Sequence, residues 1–426
     1  MNQKNLLKQQ RRCLIMSKEE RRVPEVRFEG FYDDWKQRKL RELTQRVTRR
    51  NKNLESTLPL TISAQDGLVD QNVYFNKVVA SRDVSNYYLV KYGDFAYNKS
   101  YSNGYPLGAI KRLEKYEKGV LSTLYIVFKP IDVNSDFLAK YYDTTYWYHE
   151  VYKNAAEGVR NHGLLNISPS DFFETKLSIP KNWEEQGKIG TFIQKIDNTI
   201  ALHQEKLSKL QTLKKVALQA LFPKKDEIVP KVRFTNFNEA WKQRKLSSLA
   251  NIVGGGTPNT KAEEYWDGDI DWYSPVEIGK DIYVYESQRK ITELGLRKSS
   301  AKILPSDRTI LFTSRAGIGD MAILKNSGTT NQGFRSMIVN DDTDTYFLYS
   351  YGNKIKKYAL KHASGSTFLE ISGKELSKIE LKVPSLTEQR KIGFLFEQID
   401  NVITLHQIKI KKLQTLKKGF LQKMFI

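Results

Sequence analysis

Two stretches of this chain are each written twice, in the same order and about half a chain apart. VPEVRFEGFYDDWKQRKLREL from Val23 returns as VPKVRFTNFNEAWKQRKLSSL from Val229, with 13 of 21 positions identical at an offset of 206. KIGTFIQKIDNTIALHQEKLSKLQTLKKVALQALF from Lys188 returns as KIGFLFEQIDNVITLHQIKIKKLQTLKKGFLQKMF from Lys391, with 21 of 35 identical at an offset of 203. Between these segments the two halves diverge almost completely. A period near 200 residues is far too long for a solenoid repeat and is that of a duplicated domain with its connector. Two copies of a domain, each followed by a copy of a spacer, imply two copies of whatever is bound.

The spacers read as helices. Apolar side chains recur at alternating steps of four and three, at Ile189, Ile193, Ile196, Ile200, Leu207, Leu210, Ala217 and Leu221, which is a heptad seam. The same register in the second copy gives Ile392, Phe396, Ile399, Ile403, Ile410, Leu413, Phe420 and Met424. His203 and Lys214, with His406 and Lys417, are polar seam positions. At about 1.5 Å per residue each helix would run roughly 52 Å. The economical arrangement is an antiparallel pair with a domain at each end and a pseudo-twofold axis near His203 and His406. Histidines so placed are read as fixing register rather than holding a metal.

At 426 residues the chain is long enough for two or three domains, each with its own core. Hydrophobic content of 40% with 12% aromatics excludes a disordered chain. The single cysteine, Cys13, excludes an internal disulfide framework and any cysteine-based zinc site, and fits a reducing compartment. No apolar run reaches the roughly 18 residues of a membrane span, so a soluble, cytoplasmic protein is expected. The net charge of +21 is unevenly spread: +5 over residues 1–22, +3 over 23–180, +5 over 181–225, +3 over 226–384 and +5 over 385–426. Most of the excess therefore sits in the basic N-terminal extension and the repeated spacers. Charge of this size raises encounter rates with nucleic acid and makes binding salt dependent.

No catalytic signature accompanies the charge. GGGTPNTK from Gly254 has glycines and a lysine at the wrong spacing for a phosphate loop, and neither G-x-S-x-G nor H-E-x-x-H occurs. An Asn-Pro-Pro-aromatic tetrapeptide is also absent, and the five histidines, His149, His162, His203, His362 and His406, are scattered. The chain reads as a non-catalytic recognition subunit whose chemistry belongs to a partner.

Residues 23–180 and 226–384 read as mixed α/β, with short apolar runs such as LSTLYIVF and RTILFTS between Gly-containing polar loops, giving an α+β chain. Loops rich in Asn, Ser, Tyr and Gly can hydrogen-bond base edges, and the same residues are ordinary turn formers. A faint common frame survives: Asp94, Gly104 and Ala109-Ile110 align with Asp307, Gly317 and Ala322-Ile323, and Ile167-Ser168 and Pro180 align with Ile371-Ser372 and Pro384. One scaffold with different loops is what two readers of different sequences need.

Variable domain, repeated helix, variable domain, repeated helix resembles the specificity subunit of a type I restriction-modification system. The doubled WKQRKL, GGGTPNTKAEEYWDGDIDWYS from Gly254, SRAGIG from Ser314, NQGF from Asn331 and the P-x-x-x-x-E-Q and P-x-x-x-E-Q entries at Pro180 and Pro384 carry the resemblance over residues 23–426. MSKEERRVPEVRF from Met16 resembles the usual start of such subunits, which makes residues 1–15 an upstream extension. The resemblance implies target-recognition domains at 23–180 and 226–384 and spacer helices at 181–225 and 385–426. It implies that each domain reads one half of an asymmetric bipartite duplex DNA target, about one helical turn apart. It also implies two copies of an adenine-N6 methyltransferase subunit and ATP-dependent restriction subunits as partners. Those partners, not this chain, would use S-adenosylmethionine, ATP and Mg2+.

Candidate DNA-contacting residues are Lys99, Tyr101, Asn103, Arg112, Arg160 and Asn161 in the first domain. In the second they are Thr257, Asn259, Ser314, Arg315, Asn331, Gln332, Arg335 and Ser366. Asn and Gln suit adenine, and Arg and Lys suit guanine. The competing readings are a coiled-coil scaffold for protein assembly and an RNA-binding adaptor, the latter kept open by the 23 tyrosines.

Overall fold

The computed structural model describes residues 22–100, 104–155, 160–161, 164–224, 226–315, 317–365 and 369–426. It forms two compact α+β units, Met1–His203 with Lys409–Ile426 and Gln204–Ile408. The two long helices, α1 (Trp183–Leu221) and α2 (Leu386–Lys423), each contribute to both units.

The repeated WKQRKL has the same role in each unit. Trp35 and Trp241 are buried in the two cores, as are Leu40 and Leu246. The residues between them form short strands, Lys36–Lys39 antiparallel to Lys176–Ile179 and Lys242–Lys245 antiparallel to Glu380–Val383, in matching register. These pairs tie the start of each domain to the strand that leads into its spacer helix. Around them the sheets differ. The first unit has a four-stranded antiparallel sheet in the order Thr44–Arg46, Ile126–Pro130, Phe95–Asn98, Ala109–Arg112. Phe95 stacks on its cross-strand partner Phe128 within the sheet, and Tyr97 stacks on Phe172 of the helix Pro169–Phe173, packing the sheet against that helix. The second unit has a five-stranded sheet containing Ala250–Gly254, Arg335–Val339, Thr309–Phe312, Met321–Leu324 and Tyr283–Val284. A separate three-stranded sheet is centred on Trp266–Tyr273.

The Glu-Gln dipeptide at the start of each long helix joins helix to domain. Glu185 is 1% exposed and receives two bonds from the Arg27 guanidinium at 2.6 and 2.9 Å, and Glu388, at 0%, receives two from Arg233 at 2.7 and 2.8 Å. Such a planar fork against a carboxylate is the strong form of ion pair. The neighbouring Gln186 accepts the Asn134 backbone N–H at 2.8 Å and donates to the Pro180 carbonyl, and Gln389 does the same with Asp344 and Pro384. Asn134 and Asp344 cap the helices Ser135–Tyr141 and Thr345–Ser350.

Within each unit the helices run antiparallel. In the first, Phe192 of α1 packs on Phe420 of α2 and Asp197 pairs with Lys417 at 2.7 Å. In the second, Lys214 of α1 pairs with Asp400 of α2 at 2.6 Å and Phe222 lies near Phe396. The unit nearest the end of each helix takes that end into its core: Phe425 contacts Trp35, Phe137 and Tyr141, and Phe222 contacts Trp241, Phe347 and Tyr351.

The lysines that interrupt the seam are thereby answered, though unequally. Lys417 shares Asp197 with Lys140 and lies 3.6 Å from Asp143, which also binds Lys111. Burial alone would raise the Asp143 carboxyl, but Lys111, Lys417 and Lys140 outweigh it and hold the group below the usual carboxylate range. Its contribution to stability is therefore present above about pH 4 and lost as pH falls further. Lys214 faces Asp400, 3% exposed, whose other side-chain partner among the described residues is the Tyr346 hydroxyl at 2.7 Å. Lys214→Ala leaves that buried carboxylate with one neutral donor and should cost about 3–5 kcal/mol in urea unfolding. Lys417→Ala leaves both aspartates lysine-paired and should cost less than half as much.

Candidate nucleic-acid interface

In the first domain the strands Phe95–Asn98 and Ala109–Arg112 form a hairpin with Asn98 opposite Ala109 and Arg112 opposite Phe95. Lys99 therefore begins the connecting loop, while Arg112 sits at the other end, roughly 10 Å away along the strand. Arg112 is 12% exposed and fully engaged, with Glu114 and Asp136 each at 2.7 Å and the Ser135 hydroxyl at 2.7 Å. Its role is to clamp the start of the helix Ser135–Tyr141, and it is withdrawn from the candidate readers. The Lys99 ammonium donates to the Ile167 carbonyl at 3.3 Å, and burial lowers its pKa. The Lys99 carbonyl accepts from the Leu165 amide, which places the small hairpin of Arg160–Asn161 and Leu164–Leu165 beside this loop. Only the backbone of Arg160 and Asn161 is described, and Tyr101 and Asn103 lie outside the described residues.

Next to Lys99 the structure adds residues that sequence reasoning missed. Ser63, Gln65, Asp66 and Tyr74, with Asn98, Ser100 and Tyr105, line a cavity of about 420 Å³. Asp66 closes the turn between strands Leu60–Ser63 and Gly67–Asp70 by accepting the Ser63 hydroxyl and donating its amide back to it. Asp70 caps the helix Gln71–Phe75, which leaves Val73, Tyr74 and Phe75 exposed. Nothing in the sequence pattern ties this turn to Asn98.

In the second domain the candidates converge. The Gly256 amide donates to the Thr330 carbonyl at 2.9 Å. A Cβ on Gly255 would lie 2.1 Å from the Asn331 carbonyl oxygen, so only glycine lets these two loops touch. Thr257 donates its hydroxyl to the Gln332 carboxamide oxygen. Asn259 accepts the Lys261 amide, and Asn331 accepts the Gly333 amide at 2.8 Å. The Arg335 guanidinium bridges the Phe334 carbonyl and Glu370, each at 2.7 Å. Arg315 is half-buried beside Gly333. Ser314 is fully buried, bonded through its backbone to Gly333 and Ile371 and through its hydroxyl to Glu370. It anchors the loops from beneath and is likewise withdrawn as a contact residue. Ser366 lies outside the described residues. Glu370, Trp266 and Trp272 belong to this cluster and were missed, since nothing in their spacing ties them to Asn331 or Arg335.

The loop 99–108 of the first domain and the loop after Thr309–Phe312 in the second occupy equivalent hairpins, with Gly104 at φ +81° and Gly317 at φ +107°. That is the physical content of the faint alignment between the halves. Among the described residues no group of three or more His, Cys, Asp or Glu is placed to hold a metal ion, and no helix is long and apolar enough to cross a membrane.

A family model described as the type I restriction modification DNA specificity domain matches this chain twice, over residues 32–212 and 238–415. The chain belongs to this family. It is 42% identical over 167 residues to the type I restriction enzyme MjaIX specificity subunit of Methanocaldococcus jannaschii, an alignment covering 38% of each chain. It is 28% identical over 269 residues to the EcoR124I/EcoR124II specificity subunit of Escherichia coli, covering 60% of this chain and 62% of that one. These alignments therefore span less than two thirds of either relative. Across nearly its whole length the fold matches the crystal structure of a type I restriction-modification S subunit from M. genitalium, with a TM-score of 0.62 at 15% identity, covering 95% of this chain and 99% of that one. In this specificity-family chain, Gly255→Ala should cost about 1–3 kcal/mol, read as a lower urea midpoint for the second unit, because the new methyl meets two carbonyl oxygens.

Proposed function

We propose that this protein is the non-catalytic recognition subunit of a type I restriction-modification system, reading an asymmetric bipartite duplex DNA target with one half per domain. The observation that carries the reading is the contrast between a frame repeated in both units and the unlike loop sets built on it. The chain positions two methyltransferase subunits, and restriction subunits with them, in the cytoplasm. Those subunits bring S-adenosylmethionine, ATP and Mg2+. A surface written twice suits two copies of one partner, and a basic spacer suits a polyanion.

The reading surface of the second domain is assigned to Thr257, Asn259, Arg315, Asn331, Gln332, Arg335 and Ser366. That of the first is assigned to Lys99, Tyr101, Asn103, Arg160 and Asn161. Base-reading side chains each contribute about 1–3 kcal/mol of discrimination, whereas spacer lysines contribute affinity without regard to sequence.

Co-expression with the adjacent methyltransferase gene, followed by mapping of N6-methyladenine, should reveal a split motif with a fixed gap. Stable assembly without new methylation would overturn the reading. Arg315→Ala should relax one position in one half of that motif, and equal loss of affinity for matched and mismatched duplexes would remove Arg315 from the readers. Lys209→Ala on α1 should weaken both duplexes alike and reduce the slope of log affinity against log salt by about one.

A further inference from the structure

We propose that Trp266 and Trp272 are positioning residues of the second recognition domain, whose indole N–H groups preset the 256–259 backbone in the shape that reads DNA. This rests on the DNA-reading assignment above. The Trp272 indole donates to the Gly256 carbonyl at 2.9 Å and the Trp266 indole to the Asn259 carbonyl at 3.1 Å. The two bonds grip the segment at both ends, with Thr257 between them. On the opposite side the Gly256 amide is held by Thr330.

The two rings meet edge to face with centroids 5.1 Å apart, and both are 7% exposed. The Arg289 guanidinium covers Trp266 at 3.7 Å from its ring centroid. A buried indole N–H usually finds an acceptor, and for both of these tryptophans the acceptor is the loop itself. The loop is thereby spared much of the ordering cost that a mobile binding segment meets on contact. Thr257 also reaches the base edges in one orientation, already bonded to Gln332. Packing alone does not require this arrangement: Trp241, buried in the same unit, has no hydrogen-bond partner for its indole nitrogen among the described residues.

Trp241 supplies the control. In the full-length chain, hydrogen exchange at the amides of residues 256–262 should be about tenfold faster in Trp272→Phe and in Trp266→Phe than in the unsubstituted protein, the size expected for one lost hydrogen bond. Trp241→Phe, with the same loss of ring volume, should leave those amides unchanged. In complex with the methyltransferase subunit, the two loop variants should relax discrimination about five- to tenfold in one half of the methylated motif and leave the other half intact. Equal exchange in all four proteins, or an equal effect of Trp241→Phe, would overturn the proposal, as would unaltered discrimination in both loop variants. If one variant fails to fold, the other carries the comparison. A wild-type complex that writes no split motif would defeat the DNA-reading assignment, while the exchange rates would still decide whether the tryptophans hold the loop.

Discussion

Each unit depends on one buried carboxylate. Glu185 and Glu388 are nearly inaccessible to solvent, and Arg27 and Arg233 supply the paired, hydrogen-bonded guanidinium that a buried carboxylate needs. Because each arginine comes from the opening segment of the domain and each glutamate from the start of the long helix, the pair ties the first residues of a domain to the helix that follows it. The adjacent glutamine then ties the same helix to the capped helix of the domain body. The entry angle of a long helix is thus set by charge-assisted bonds of defined geometry rather than by apolar contact alone, which is non-directional. Replacing the pair with apolar groups could keep the core closed but would give up that angular definition.

This anchoring explains why the repeats lie where they do. The segments that stayed alike in both halves supply the arginine, the tryptophan, the edge strand and the helix, and these must fit one another. The segments that diverged supply the main sheets and the loops between their strands, and those sheets differ between the units. A loop such as 255–262 needs only to satisfy its own backbone and its immediate neighbours, so its sequence is free to change while the frame is not.

Much of this was legible before any coordinates. Heptad spacing marked the two helices, and the duplicated WKQRKL and Glu-Gln entries marked their attachments, because short-range periodicity and repetition survive in a linear record. What was not legible was anything set by long-range contact. Arg112 looked like a loop cation but lies on a strand at the far end of its hairpin, held by acids 2 and 24 residues away. Ser314 looked like a contact residue because it opens the Gly-containing SRAGIG segment, yet it is fully buried and bonded to Gly333, Ile371 and Glu370. Glu370, which orients Arg335, and Gln65 and Tyr74, which face Asn98, are brought in by sheet topology that no local pattern encodes. The seam lysines appeared as flaws in an apolar stripe, since their aspartates lie 186 and 220 residues away.

The closing of the first core by Phe425 also sets an order of events during synthesis. Residues 204–408 form a contiguous unit that can complete its packing as soon as it has left the ribosome. The first unit emerges earlier, but Trp35, Phe137 and Tyr141 remain without their apolar cover until residues 409–426 have followed. The part made first is thus finished last, and a chain stopped short of that segment would expose an aromatic surface for chaperones and proteases to recognise. A prematurely ended copy could then not persist as a half-formed competitor of the intact protein.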